Sequence, residues 1–151
     1  MTNKLANFLV KAKKNTYASI GEGGEIRLED GAKELSYKDE DFSYRDRYYG
    51  SKDFAGEEIV WQGGKVIWGM NYYGMTTKDD IDAEKVYSFL KLALSNVTTE
   101  MPFRGPENLK KDNCEYVNKI EGSLKSFCGK EEILLNGQVV YQLYYHGGRI
   151  R

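Results

Sequence analysis

The sequence predicts an α+β domain built of two tandem helix-plus-antiparallel-sheet repeats, about residues 3–75 and 84–151, related by a pseudo-twofold within one compact domain. Three observations predict it. Residues 54–74 (FAGEEIVWQGGKVIWGMNYYG) and 127–147 (FCGKEEILLNGQVVYQLYYHG) are identical at seven of 21 positions without a gap, where average residue usage would give roughly one or two. Upstream, Tyr44-x-Asp46 with Gly50 answers Tyr116-x-Asn118 with Gly122. Each half also opens on apolar residues at helical spacing, Leu5-x-x-Phe8-Leu9-x-x-Ala12 and Val86-x-x-Phe89-Leu90-x-x-Ala93.

The first element is therefore a helix whose Leu5, Phe8, Leu9 and Ala12 form one buried stripe, with lysines elsewhere. Residues 26–37 read as a hairpin turning near Asp30-Gly31, and strands fill the rest of the half. Gly63-Gly64 and Asn136-Gly137 supply hairpin turns that require positive φ. They pair residues 57–62 with 65–73 and 130–135 with 138–146. Simple alternation places Ile59, Trp61, Val66, Trp68, Met70 and Tyr72 on a core face. Glu58, Val60, Ile67, Asn71 and Tyr73 then share the second, partly covered face, repeated by Glu131, Ile133, Val140, Tyr144 and His146.

Between the halves, residues 75–80 form a short polar connection within one domain. Asp82 is placed to cap the second helix, with Ile81 and Val86 stapled across it. Thr98, Thr99 and Pro102 end that helix, because a proline ring cannot continue it. Pro102-Phe103-Arg104-Gly105-Pro106 follows as a stiff loop.

Composition excludes several classes. At 151 residues the chain can bury a core, and a net charge of −1 offers no basic field for nucleic acid or an acidic membrane. Cys114 and Cys128 are too few for a disulfide framework and read as small semi-buried residues in a reducing cytosol. The N-terminal residues lack the long apolar core of a secretion signal, and no stretch is apolar enough to span a bilayer. A soluble cytoplasmic protein is expected.

Candidate chemistry lies in a few residues. His146 is the only histidine, and its counterpart Tyr73 marks a position that accepts polar-tipped aromatic rings. Glu58 and Glu131 are the repeated carboxylates, able to share a proton, bind a cation or hold an amine, or else to sit solvated at strand ends. Twelve tyrosines suit either strand packing or a cleft for aromatic or cationic small molecules. Arg104 clamps a carboxylate or phosphate ligand, or ties its loop to an acid on the sheet. Gly21-Glu22-Gly23-Gly24-Glu25 is no phosphate loop, since it lacks the Lys-Ser/Thr pair. No metal and no cofactor is expected, because Cys and His occur nowhere at ligand spacing.

The chain resembles a bacterial family of unknown function. The residues that carry the resemblance are Thr16-Tyr17-Ala18, Tyr48-Tyr49-Gly50, Phe54-x-Gly56-x-Glu58, Trp68-x-Met70-Asn71-Tyr72-Tyr73-Gly74, Pro102-Phe103-Arg104-Gly105-Pro106 and Tyr145-His146-Gly147-Gly148. Its members look like small stand-alone proteins, or like C-terminal domains behind helix-turn-helix segments of transcriptional regulators. The resemblance implies a sensory or ligand-binding role and brings no catalytic residue. No helix-turn-helix signature is visible here, so direct nucleic-acid binding is not expected.

The expected function is a non-enzymatic small-molecule-binding domain. Its candidate ligand contacts are Glu58, Trp68, Asn71, Tyr73, Arg104, Glu131, Tyr144 and His146. Two alternatives stand beside it. One is a small hydrolase or isomerase using His146 with Glu58 or Glu131; the other is an interaction module that forms a homodimer through a sheet edge.

Overall fold

The computed structural model describes residues 2–17 and 25–151. Helix α1 (Thr2–Lys14) leads into β1 (Ile26–Arg27), β2 (Lys33–Asp39), β3 (Phe42–Gly50), β4 (Phe54–Gln62) and β5 (Lys65–Thr76). Helix α2 (Ala83–Leu94) follows, then β6 (Asn108–Lys111), β7 (Cys114–Ser123), β8 (Ser126–Leu135) and β9 (Gln138–Arg149). All nine strands form one antiparallel sheet in the order β1-β2-β3-β4-β5-β9-β8-β7-β6. Of the resemblance motifs, Ala18 lies outside the described residues, as do the four leading residues of the segment excluded as a phosphate loop.

This corrects the expected fold class. Among the described residues the molecule is a sheet-dominated fold in which α1 and α2 are short, not two tandem helix-plus-sheet repeats of an α+β domain. The reason is the ladder between the two long strands β5 and β9, which runs from Trp68↔Arg149 to Thr76↔Tyr141. Each strand takes its second neighbour from the other half, so neither half keeps a sheet of its own. At the centre of the ladder Tyr72 faces Tyr145, the residue at the matching position of the similar segment.

The hairpin turns form where expected, with positive φ at Gly63, Gly64, Asn136 and Gly137. The faces differ from simple alternation. Trp61 pairs with Val66, but Val60 pairs with Trp68, so Ile67 is an extra residue in β5. A bulge of this kind turns every side chain beyond it to the other face. Glu58 and Val60 therefore share the buried face with Trp68, Met70 and Tyr72, while Ile59, Trp61 and Val66 move to the outer face. In β9 the extra residue is Val140, and Glu131 and Ile133 are buried beside Tyr141, Leu143 and Tyr145.

One core lies on one face of the sheet. Helix α1 buries Ala6, Phe8, Leu9 and Ala12 there, and α2 buries Val86, Phe89, Leu90 and Ala93. Asp82 caps α2 by accepting the Lys85 backbone N–H at 3.2 Å. Neither α1 nor α2 covers the outer face, where Asn71, Tyr73, Tyr144 and His146 are exposed. Cys128 is exposed rather than semi-buried, because it too falls on the outer face, opposite His146. Edge strands β1 and β6 are two and four residues long, so an edge-to-edge homodimer would gain only a short ladder. Among the described residues no helix is long and apolar enough to cross a membrane.

Trp68 is 0% exposed and stacks on Phe127 at a ring separation of 5.6 Å. Its truncation to Ala should cost about 3–5 kcal/mol in urea unfolding; a loss below about 1 kcal/mol would place the ring outside the core.

Candidate functional site

The site grows from the β5–β9 ladder. On its buried face Tyr72 lies across β4 to reach β3, where its hydroxyl donates to Asp46 Oδ1 at 2.5 Å. The ring crosses β4 at Gly56, where an added Cβ would stand 2.3 Å from the hydroxyl oxygen. Only a residue without a side chain leaves that path open. The second half repeats the arrangement: Tyr145 crosses Gly129 and donates to Asn118 Oδ1 at 2.7 Å.

Beside each acceptor lies a buried glutamate, and the two are neutralised differently. Glu131 accepts from Arg104 Nη2 at 2.6 Å, from the Tyr141 hydroxyl at 2.8 Å and from the Tyr116 hydroxyl. The loop that carries Arg104 is itself pinned, since Gly105 donates to Tyr116 Oη and accepts from Asn118 Nδ2. This half is closed and fully hydrogen-bonded. Glu58 instead forms a buried ion pair with Lys13, which reaches it from α1. Tyr44 is hydrogen-bonded to Glu58 as well.

Three buried carboxyls, Asp46, Glu58 and Glu131, thus face two buried cations, Lys13 and Arg104. One carboxyl is in excess. The imbalance falls on Asp46, whose pKa is pushed up from 3.8 to about 7 by burial and then by the charge of Glu58. Its bond from Tyr72 and the charges of Lys13 and Arg104 pull the other way. Burial lowers the Lys13 pKa, with Glu58 opposing. Tyr44, Tyr72, Tyr116 and Tyr141 are all held well above the ordinary tyrosine pKa by burial and neighbouring carboxylates, which leaves them as hydrogen-bond donors.

Asp46 is also where the cluster meets solvent. A cleft of about 460 Å³ opens between α2 and the sheet, with Asp46, Tyr72 and Arg104 at its floor. Its walls are Tyr17, Tyr48, Phe54 and Tyr87, and Ser51, Lys52, Glu84, Ser88 and Lys91 also line it. A recess of about 20 Å³, bounded by Lys13, Tyr44 and Glu58, adjoins the same Asp46 and Arg104. Asp46 is 3% exposed, and among the described residues its only hydrogen-bond donor is Tyr72, on Oδ1. Its carboxyl lines the cleft floor.

The residues singled out from sequence divide between the two faces. Glu58, Arg104 and Glu131 converge in the buried cluster, and Arg104 reaches the cleft. Trp68 is core, with an indole N–H that has no partner among the described residues. Asn71, Tyr73, Tyr144 and His146 lie on the outer face, with the sheet between them and both glutamates. His146 is therefore not brought together with Glu58 or Glu131.

Asp46, Lys13 and the two bridged glycines are site residues that sequence reasoning passed over. Three of the four carried a signal: Tyr-x-Asp answers Tyr-x-Asn, and Phe-x-Gly-x-Glu occurs in both halves. Lys13 carried none, being one lysine among several in α1. No group of three or more His, Cys, Asp or Glu among the described residues is placed to hold a metal ion.

The profile of a family described as a domain of unknown function, DUF5680, matches residues 46–150. No curated protein and no solved structure matches the chain.

Two outcomes are expected of the buried charges. Asp46 titrates near 3.8 when unfolded and about 7 when folded, so between these values the folded state holds a proton that the unfolded state has lost. Its contribution to stability accordingly falls as pH rises from 4 to 7 and is flat above. Asp46→Asn keeps an acceptor for Tyr72, as Asn118 does for Tyr145, and should be more stable than wild type at pH 8 but not at pH 4 in urea unfolding. A pH-independent difference would refute the assignment. Separately, Lys13→Met leaves Glu58 buried and unpaired, at an expected cost of about 3–5 kcal/mol. Lys11→Met, which breaks only the exposed pair with Asp39, should leave the urea midpoint nearly unchanged.

Proposed function

The chain belongs to the DUF5680 family, and from the cleft over Asp46 we propose that it is a non-enzymatic small-molecule-binding domain. One observation carries the reading: an aromatic-walled cleft ends on a nearly fully buried carboxyl, Asp46, beside a second one, Glu58, that already holds the nearby lysine. Burying one carboxyl beside another is costly, since each disfavours the ionised form of its neighbour. The second half avoids that cost with Asn118, bonded on both sides by Tyr145 and Gly105. Retaining an acid in the first half is a burden on folding that a ligand contact accounts for, since destabilising polar groups gather at binding sites.

A sensory role in a bacterial cytoplasm, associated with transcriptional regulators, is the wider form of the same proposal. It draws support from the resemblance noted in the sequence. The second reading, an enzyme, now rests on Asp46: a carboxyl that titrates near neutrality suits a general acid or base. The histidine-based form of that reading draws no support from His146, which lies across the sheet.

The test is a thermal-shift screen of metabolite pools on the wild type and on Ser88→Trp, whose exposed position lines the cleft. Ligands of the cleft should stabilise the wild type by several degrees and lose most of that effect in Ser88→Trp. Hits that stabilise both proteins equally would sink the cleft as the site, and turnover of a hit would replace the non-enzymatic reading with the enzymatic one.

A further inference from the structure

The cleft's floor also indicates what kind of molecule enters, an inference that rests on the cleft being a binding site. We propose that the occupant is a small aromatic molecule bearing one protonated nitrogen, which it places against the Asp46 carboxyl while its ring lies among Tyr48, Phe54, Tyr72 and Tyr87.

The charges select the sign. Arg104 is engaged by Glu131 and Lys13 by Glu58, so both buried cations already have a carboxylate partner. What remains uncompensated at the floor is the third carboxyl, and a ligand cation restores neutrality where water is largely excluded. An anion would instead meet Asp46; of the cations lining the cleft, Arg104 is held by Glu131, and Lys52 and Lys91 share the lining with Glu84. The walls fit the same occupant. Aromatic faces attract cations, and two of these rings already carry one: the Arg104 guanidinium lies 5.4 Å from the Tyr72 centroid, and Lys33 Nζ lies 5.5 Å from that of Tyr48.

Such a ligand competes with a proton for Asp46. The groups that face this carboxyl are Glu58 from β4, Tyr44 from its own strand, Tyr72 from β5, Lys13 from α1 and Arg104 from the loop after α2. Of these, the tyrosines and Arg104 are held above their ordinary values and keep their protons near neutrality, and the coupling is carried by Asp46. Ammonium binding selects the ionised form, and affinity therefore rises with pH until that form dominates. For a group that titrates at about 7, apparent affinity should rise about thirtyfold between pH 5.5 and pH 8.

Benzylamine, benzyl alcohol and benzoate share one ring and differ in charge. Titrated into the ¹⁵N-labelled protein, benzylamine should shift the Tyr87 and Ser88 amides, with an affinity about thirtyfold higher at pH 8 than at pH 5.5. Benzyl alcohol and benzoate should leave those amides unmoved at the same concentrations, and Asp46→Asn should lose the benzylamine response while keeping the wild-type spectrum elsewhere. Equal binding of the alcohol or the benzoate, a pH-independent affinity, or an unaltered response in Asp46→Asn would overturn the cationic assignment while leaving the cleft a binding site. Absence of any benzylamine response at the cleft would overturn it too. Hits of the metabolite screen that Ser88→Trp abolishes would then still support the cleft, whereas their absence would take both readings down.

Discussion

The pairing of β5 with β9 is the constraint on which the rest of this molecule depends. It merges nine strands into one sheet and sets Tyr72 opposite Tyr145 on the buried face. A tyrosine there is too long to end in the core between its own neighbours. Each ring lies across a glycine and spends its hydroxyl on an acceptor two strands away. The polar cluster is thus a consequence of the ladder. The hydroxyls must be satisfied because they are buried, and the acceptors must be buried because the hydroxyls reach them.

From this shared frame the two halves part. In the second, an amide acceptor, an arginine and two further tyrosines or tyrosine-like donors leave Glu131 and Asn118 with several partners each. In the first, the acceptor is an acid, the cation is a lysine, and Trp68 stands where Tyr141 gives its hydroxyl to Glu131. Each change removes a hydrogen bond or adds a charge. Together they turn a closed structural network into one with an excess carboxyl beside a cleft. Similar folds in the two halves make the comparison direct, because local geometry is held nearly constant while the chemistry differs.

Much of the fold was legible in the sequence, and the reasons for the rest are specific. Turns with Gly63-Gly64 and Asn136-Gly137, the stripes of α1 and α2, and the Asp82 cap rest on local rules that the tertiary structure left intact. The face of β4 was misread because one bulge at Ile67 inverts the alternation, and nothing in the residues near it marks a bulge. That inversion hid the site: it moved Glu58 from an apparent second face into the core and left His146 and Tyr73 outside. The β5–β9 ladder was equally hidden, since a strand buried on one face alternates in the same way at an edge or at the centre. Only the repeated Tyr-x-Asp/Asn and Phe-x-Gly-x-Glu patterns pointed to the cluster, and their meaning required the third dimension.

The different cations set the two halves of the cluster apart. Arg104 offers a planar fork that reaches Glu131 through two nitrogens, and its loop is fixed by Tyr116 and Asn118. Lys13 is a point charge at the end of a flexible stem, and it sits in the last turns of α1. It neutralises Glu58 and is too far committed there to neutralise Asp46 as well. The remaining carboxyl, Asp46, lies where the cleft reaches the cluster, beside Tyr72 and Arg104 and with the rings of Tyr48, Phe54 and Tyr87 around it. A buried charge among aromatic walls is costly when empty and favourable when paired. The first half thus carries a buried carboxyl beyond those that Lys13 and Arg104 pair with.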